Sequence, residues 1–174
     1  MVTEIERRFC VVGDDWRAAA SAGRVLKQGY LASTEFATVR VRREEFAASL
    51  TVKSARSGFI REEFTSPLSL ADADFMLERL CGGGVLTKIR HEVMHAGLIW
   101  QVDVFGEGAD DLVIAEVELE RPDQPVVLPP WVGREVTGKP RYRNSSIARR
   151  CAKAARRTPR TETPLECAAS MSSA

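Results

Sequence analysis

Histidine is scarce: His91 and His95 are the only two, and neither has a His or Cys cluster around it. A zinc site or a histidine-centred acid–base pair is therefore not expected, and both rings read as surface or hydrogen-bonded structural groups. The four cysteines, Cys10, Cys81, Cys151 and Cys167, form no C-x-x-C pair and no dense cluster. That spacing excludes zinc and redox motifs and a disulfide framework, and all four read as reduced thiols. No stretch approaches the ~18 apolar residues of a spanning helix, which excludes an integral helical membrane protein. The N-terminus opens on Glu4, Glu6, Arg7 and Arg8 without an apolar segment, so no secretory signal is expected and the expected compartment is the cytoplasm. Gly82–Gly83–Gly84 is followed by no G-K-[ST] and reads as a helix exit, not a phosphate loop. Trp16, Trp100 and Trp131 lack interleaved arginines and aromatics, so they read as packing anchors, and no specific nucleic acid is expected.

What is present suits one folded domain: 174 residues, 44% of them hydrophobic, are enough for a real core. The net charge of +1 conceals a split. Residues 149–174 hold six basic and two acidic groups, a balance of +4, which leaves the first 148 residues at −3. The expected division is a domain over 1–150 and a basic tail over 151–174. Thr158–Pro159, Thr163–Pro164 and the closing Ala, Ser and Met residues read as disordered end sequence.

Period-2 alternation marks eight strands, at 3–12, 26–32, 37–43, 48–54, 59–65, 85–94, 98–105 and 113–120. A helix is expected over 70–80, capped by Ser69, with Asp72 and Asp74 in its first turn and Gly82 past its end. A second starts near Asn144–Ser145 and runs through Ile147, Ala148 and Cys151, and a short helical turn is expected around Trp16 to Ala22. Eight strands in one domain point to a closed antiparallel barrel or a sandwich.

The polar faces of these strands are sorted by sign. Alternate side chains of a strand share a face. Glu4, Glu6 and Arg8 therefore stand together opposite Ile5 and Phe9, while Glu116, Glu118 and Glu120 alternate with Val117 and Leu119. Arg40 and Arg42 share a face, Lys88 and Arg90 flank Ile89, and Lys53 stands opposite Val52. Solvated faces intersperse signs; faces sorted into acids and cations suit an interior that holds phosphates together with a metal ion. Carboxylate oxygens converging from two strands suit a hard cation, Mg2+ or Mn2+, better than zinc. Arginine forks and lysine point charges suit phosphate oxygens. Metal, phosphate and water together are the recipe for phosphoryl transfer.

Eight motifs occur in order: E-I-E-R-R-F from Glu4, Q-G-Y-L from Gln28, T-V-R-V-R from Thr38, L-T-V-K from Leu50, L-T-K-I-R from Leu86, W-Q-V-D-V-F from Trp100, I-A-E-V-E-L from Ile114, and R-E-V-T with R-Y-R-N-S from Arg134 and Arg141. With these the sequence resembles the CYTH superfamily, the triphosphate tunnel metalloenzymes, and most of all its compact bacterial members that hydrolyse inorganic tripolyphosphate. The resemblance spans about 1–150 and implies a mainly β (α+β) fold, a closed tunnel of eight antiparallel strands with a few flanking helices. It implies metal-binding roles for Glu4, Glu6, Glu116, Glu118 and Asp103, with Mg2+ or Mn2+ as the cofactor. It assigns Arg40, Arg42, Lys53, Lys88, Arg90 and Arg141 to the triphosphate, and Arg8, Tyr30 and Glu63 to the reacting end. Two positions depart from the family pattern: Arg8 replaces the lysine of E-x-E-x-K, and Thr65 replaces the second carboxylate of R-x-E-x-E. The implied function is metal-dependent hydrolysis of the terminal phosphate of tripolyphosphate. Hydrolysis of thiamine triphosphate, cyclisation of ATP as in class IV-type adenylate cyclases, and non-catalytic capture of polyphosphate or nucleotides are the alternatives. A homodimer is the possible assembly.

Overall fold

The computed structural model describes residues 1–157 apart from 59, 107 and 110. The end sequence expected from Thr158 onward, Cys167 included, lies outside the described residues. Nine strands form: β1 (Val2–Val11), β2 (Arg24–Ser33), β3 (Ala37–Arg43), β4 (Ala48–Ser54), β5 (Ile60–Leu68), β6 (Val85–His95), β7 (Leu98–Phe105), β8 (Val113–Glu118) and β9 (Val132–Glu135). Helix α1 (Leu70–Arg79) lies between β5 and β6, and α2 (Asn144–Arg157) follows β9. The turn expected at Trp16 to Ala22 is a 3-10 helix over Asp15–Ala19. The last of the eight expected strands stops at Glu118, so Glu120 lies outside it. The four-residue β9 was not anticipated.

All strand pairs are antiparallel, in the order β5-β4-β3-β2-β6-β7-β8-β1-β9, and a further β5–β1 pairing closes eight of them into a ring. The sandwich alternative is thereby excluded. Closure is shared along one edge of β1. Val2 to Ile5 pair with β5, and Phe9 and Val11 pair with β9. The other edge of β1, Glu6 to Cys10, pairs with β8. The β6–β7 hairpin turns on Ala96 and Gly97, both left-handed (φ 48° and 80°), as a two-residue turn between right-twisted strands requires.

Apolar side chains on the outside of the ring are covered in patches. Helix α1, whose N-cap Ser69 hydroxyl accepts from the Asp72 amide at 3.0 Å, lays Ala73 and Leu77 over Val41 and Leu50. Gly29 beneath it admits no side chain, since a Cβ there would stand 2.5 Å from Cys81 Sγ. Trp16, Trp100 and Trp131 pack with Ile5, Phe9 and Val117 in a second cluster, as anchors. His91 stacks edge-on to Trp16, and its Nδ1 lies 3.0 Å from the Ser21 carbonyl, a structural role. Leu86, Phe105 and Ile114 face inward and pack with Val136 and with Ile147 and Ala148 of α2, an apolar plug for one end of the ring. Among the described residues no helix is long and apolar enough to cross a membrane.

Candidate active site

Alternation turns the charged face of each strand inward, around a cavity of about 380 Å³. Of the fourteen residues expected at the site, eleven line it: Glu4, Glu6 and Arg8 from β1, Tyr30 from β2, Arg40 and Arg42 from β3, Lys53 from β4, Glu63 from β5, Arg90 from β6, and Glu116 and Glu118 from β8. Arg56, Arg61, Gln101, Lys139, Tyr142, Arg143 and Asn144 join them without having been singled out in the sequence. Among the described residues, nine basic and six acidic side chains line the cavity, an excess of three positive charges.

Three expected residues lie elsewhere. Lys88 and Asp103 are fully buried behind the lining, ion-paired to each other, with the Lys88 ammonium 5.7 Å from the centre of the Phe105 ring. Burial there pushes the ammonium down to about 7, with Asp103 opposing. Asp103 also accepts both arms of Arg90, at 2.7 Å each, so it braces Arg90 from behind. Arg141 is placed off the cavity by the 3-10 turn Pro140–Tyr142, its guanidinium 5.6 Å from the Tyr142 ring; Arg143, two residues on, faces inward instead.

On β1 and β8 nearly every carboxylate is spoken for. Glu4 accepts from Lys53 at 2.7 Å and from Arg61. Burial raises its carboxyl pKa, but the Arg61 hydrogen bond and the charges of Lys53 and Arg61 outweigh that and bring it to about 2. Glu6 accepts from Arg8 at 2.6 Å and from Arg56 at 3.0 Å. Arg8 is wedged between the strands: besides Glu6 it donates to Glu116 and, at 3.0 Å, to the Tyr142 carbonyl. Burial disfavours its charge, yet Glu116 and Glu6 more than restore it, so Arg8 stays a fixed cation. Glu116 also takes Arg90 at 2.7 Å; burial would raise its pKa, and Arg8, Lys88 and Arg90 hold it well below the usual range. Glu118 differs. It has no ion pair among the described residues, and burial together with the negative charges of Glu4 and Glu6 pushes its pKa up.

On β3, four strands away from β8 either way around the ring, the situation reverses. Among the described residues Arg40 donates only to the Thr51 hydroxyl, at 3.2 Å, and its Nε has no partner; Arg42 Nε is likewise buried without one. Burial, with the repulsion of Arg40 and Arg90, lowers the Arg42 pKa to about 10. Tyr30 beside them accepts from Gln28 at 2.9 Å, and burial raises its pKa, so its hydroxyl stays protonated. Thr65, the departure from the expected carboxylate, hydrogen-bonds Glu63 at 2.9 Å and Thr51 at 3.1 Å. It thereby links the Lys53–Glu63 pair to the hydroxyl that Arg40 uses.

Arg61 was legible: it precedes Glu63 by two and so shares its face. Arg56 sits in the β4–β5 loop, where no period exists to place it.

Among the described residues no three His, Cys, Asp or Glu side chains converge tightly enough to chelate a metal by themselves. The donor set still fits a hard cation. Glu4, Glu6 and Glu118 offer only oxygens, and the raised pKa of Glu118 marks a place short of positive charge.

A family model described as the CYTH domain matches residues 3–152. An inorganic triphosphatase of Acetivibrio thermocellus is 40% identical over 151 residues, covering 86% of this chain and 95% of that protein. An inorganic triphosphatase of Nitrosomonas europaea is 32% identical over 155 residues, covering 84% and 97%. The solved structure of the inorganic triphosphatase NE1496 superimposes with a TM-score of 0.61 at 30% identity, over 86% of this chain and 96% of that one. A putative adenylate cyclase from Bacillus halodurans, 16% identical with a TM-score of 0.55 over 70% and 83%, shares the fold.

Proposed function

The chain belongs to the CYTH family, and on that premise we propose that it hydrolyses the terminal phosphoanhydride bond of inorganic tripolyphosphate inside the ring, with Mg2+ or Mn2+ as cofactor. The observation that carries this reading is the pair of half-buried arginines Arg40 and Arg42, each with a buried Nε that has no partner and, among the described residues, no carboxylate, facing a cavity with an excess of positive charge. A buried cation without a counter-ion is costly, and a polyanion relieves that cost. Tripolyphosphate offers forked oxygens that match guanidinium geometry.

Glu4, Glu6 and Glu118 would hold the metal ion. When bound, the ion neutralises phosphate charge and activates a water. Arg40 and Arg42 grip and orient the phosphates, with Lys53 beside them. Tyr30, protonated, offers a neutral donor at the same wall. Arg8 and Arg90 keep the charge of Glu116 fixed, so the field at the reacting end does not have to reorganise. Lys88 and Asp103 act from behind, through Arg90.

Phosphate release from tripolyphosphate, ATP and thiamine triphosphate, each with and without Mg2+ or Mn2+, tests the proposal. Metal-dependent release, fastest from tripolyphosphate, is expected. Faster turnover of either larger substrate moves the assignment to it. Thermal stabilisation by tripolyphosphate without release in any metal would leave a binding module.

A further inference from the structure

Helix α2 does more than plug one end of the ring. Its first residues, Asn144 and Ser145, line the same cavity as Arg40 and Arg42, and so does Arg143 just before them. Among the described residues the amides of Asn144 and Ser145 donate to nothing, while the next two, of Ser146 and Ile147, are already taken by the Arg143 carbonyl at 2.9 and 3.0 Å. The Asn144 side chain is 7% exposed and its Oδ1 is buried with no partner. A buried amide that hydrogen-bonds nothing is rare and calls for a ligand, ion or water. The sealed end is the oxygen; the NH2 end is not sealed off and has no hydrogen-bond partner among the described residues, so it is the end that can donate to an anion in the cavity. A fourteen-residue helix beginning here adds the positive end of its dipole. Position is secured from behind: Arg8, anchored in Glu6 and Glu116, donates to the carbonyl of Tyr142, two residues before the helix.

We propose that the first turn of α2, through the free amides and side chain of Asn144 and Ser145 with the Arg143 guanidinium, is an anion subsite that takes one terminal phosphoryl group of the tripolyphosphate chain. The proposal rests on the reading of the cavity as a triphosphate site and gives Asn144 a direct contact with substrate. It also moves the phosphate-facing role within R-Y-R-N-S from Arg141 to the two residues Arg143 and Asn144.

Two substitutions at one position test it in the full-length protein. Asn144→Asp adds a negative charge at the start of a helix, which favours the helix and disfavours a bound anion. Asn144→Pro deletes both the amide hydrogen and the side-chain donor. Proline is tolerated in the first turn, and Arg143 already has the extended backbone (φ −69°, ψ 136°) that a residue before proline needs. Both variants are expected to keep their melting temperature without ligand, with Asn144→Asp equal to or above the parent. Both are expected to raise the KM for tripolyphosphate at least tenfold and to lose most of the thermal stabilisation that tripolyphosphate gives. A purely structural role for Asn144 predicts the reverse pattern, with melting temperature moved and KM not. The proposal is overturned if Asn144→Asp binds tripolyphosphate as tightly as the parent. Should the parent bind tripolyphosphate without hydrolysing it, the stabilisation assay still decides on the subsite while the catalytic reading fails. Should the parent not bind it at all, both fall.

Discussion

The two walls of the tunnel are built the same way, with alternate side chains of antiparallel strands turned inward, but their charges are satisfied differently. On β1 and β8, Glu4 and Glu116 each hold two cations and Glu6 three, and Arg8 and Arg90 thread between them. On β3, Arg40 and Arg42 have no carboxylate partner among the described residues, and the Nε of each is buried without any partner. The first wall is a closed ledger of charge that needs no ligand to persist. The second is incomplete by itself, and what it lacks is negative charge. Glu118 is the exception on the balanced wall, an acid short of a cation. The two unsatisfied places carry opposite signs, as a bound metal–phosphate pair demands.

The comparison breaks most visibly in stability. Arg90→Met strips both Asp103 and Glu116 of a partner and is expected to cost about 3–5 kcal/mol in urea unfolding, as loss of one member of a buried network does. Arg42→Met removes a cation with no partner to abandon and is expected to cost nothing or to stabilise. Equal losses would erase the distinction between the walls. The next effect is on turnover. Glu118→Gln keeps size and removes the unpaired charge, so metal-dependent phosphate release is expected to fall about 10²–10³-fold, roughly 3–4 kcal/mol, in a protein that still melts cooperatively. An unchanged rate at saturating metal would take the acid wall out of the chemistry.

Acid sharpens the contrast. The Glu4 carboxyl is lowered from 4.5 to about 2 by its paired surroundings against the opposition of burial. Its contribution, about 3 kcal/mol at 1.4 kcal/mol per pH unit, is present above pH 4.5 and is lost as pH falls through 2. Glu118, raised by burial and by Glu4 and Glu6, runs the other way, with its ionised form destabilising as pH rises. Melting curves of Glu4→Gln and the parent between pH 2 and 5 are expected to converge at the acid end; parallel curves would show that the Glu4 pairs contribute nothing. The smallest effect is on affinity. Arg40→Ala and Arg42→Ala are each expected to raise the KM for tripolyphosphate about tenfold to hundredfold, equivalent to the ~1.5–3 kcal/mol of a charged hydrogen bond, and to flatten its dependence on salt. An unchanged KM in both would assign substrate binding to other residues.

The eight principal strands and both helices were legible because alternation and capping are local. Which face of a strand is inside is not local. Polar alternation ordinarily means an outer face in water, and here the rule inverts, leaving Val25, Ile89 and Phe64 exposed while Arg90 and Lys53 are buried. Sorting by sign carried the right answer because water does not sort charges. Depth along the tunnel was invisible. Lys88 and Arg90 are equivalent in the pattern L-T-K-I-R, yet one faces the cavity and the other ends against Phe105. Arg141 and Arg143 are equivalent in R-Y-R-N-S, and only the turn over Pro140–Tyr142 decides between them. Strand β9 was too short for its alternation to register, and Arg56 lies where no alternation exists.

The divided edge of β1 has a consequence for biosynthesis. Its N-terminal half can find β5 after a further 61 residues, the separation of the pair Val2 and Glu63. Its remaining edge waits for β8: Glu6 meets Glu118, 112 residues later. At the ~5–20 residues per second of translation, that is an interval of about 6–22 s in which a nascent strand leaves the ribosome with its pairing groups open. Such edges invite neighbouring polysomal chains to pair, and charged side chains are what discourages them. Glu4, Glu6, Arg7 and Arg8 supply that protection during synthesis. Three of the four then turn into the tunnel.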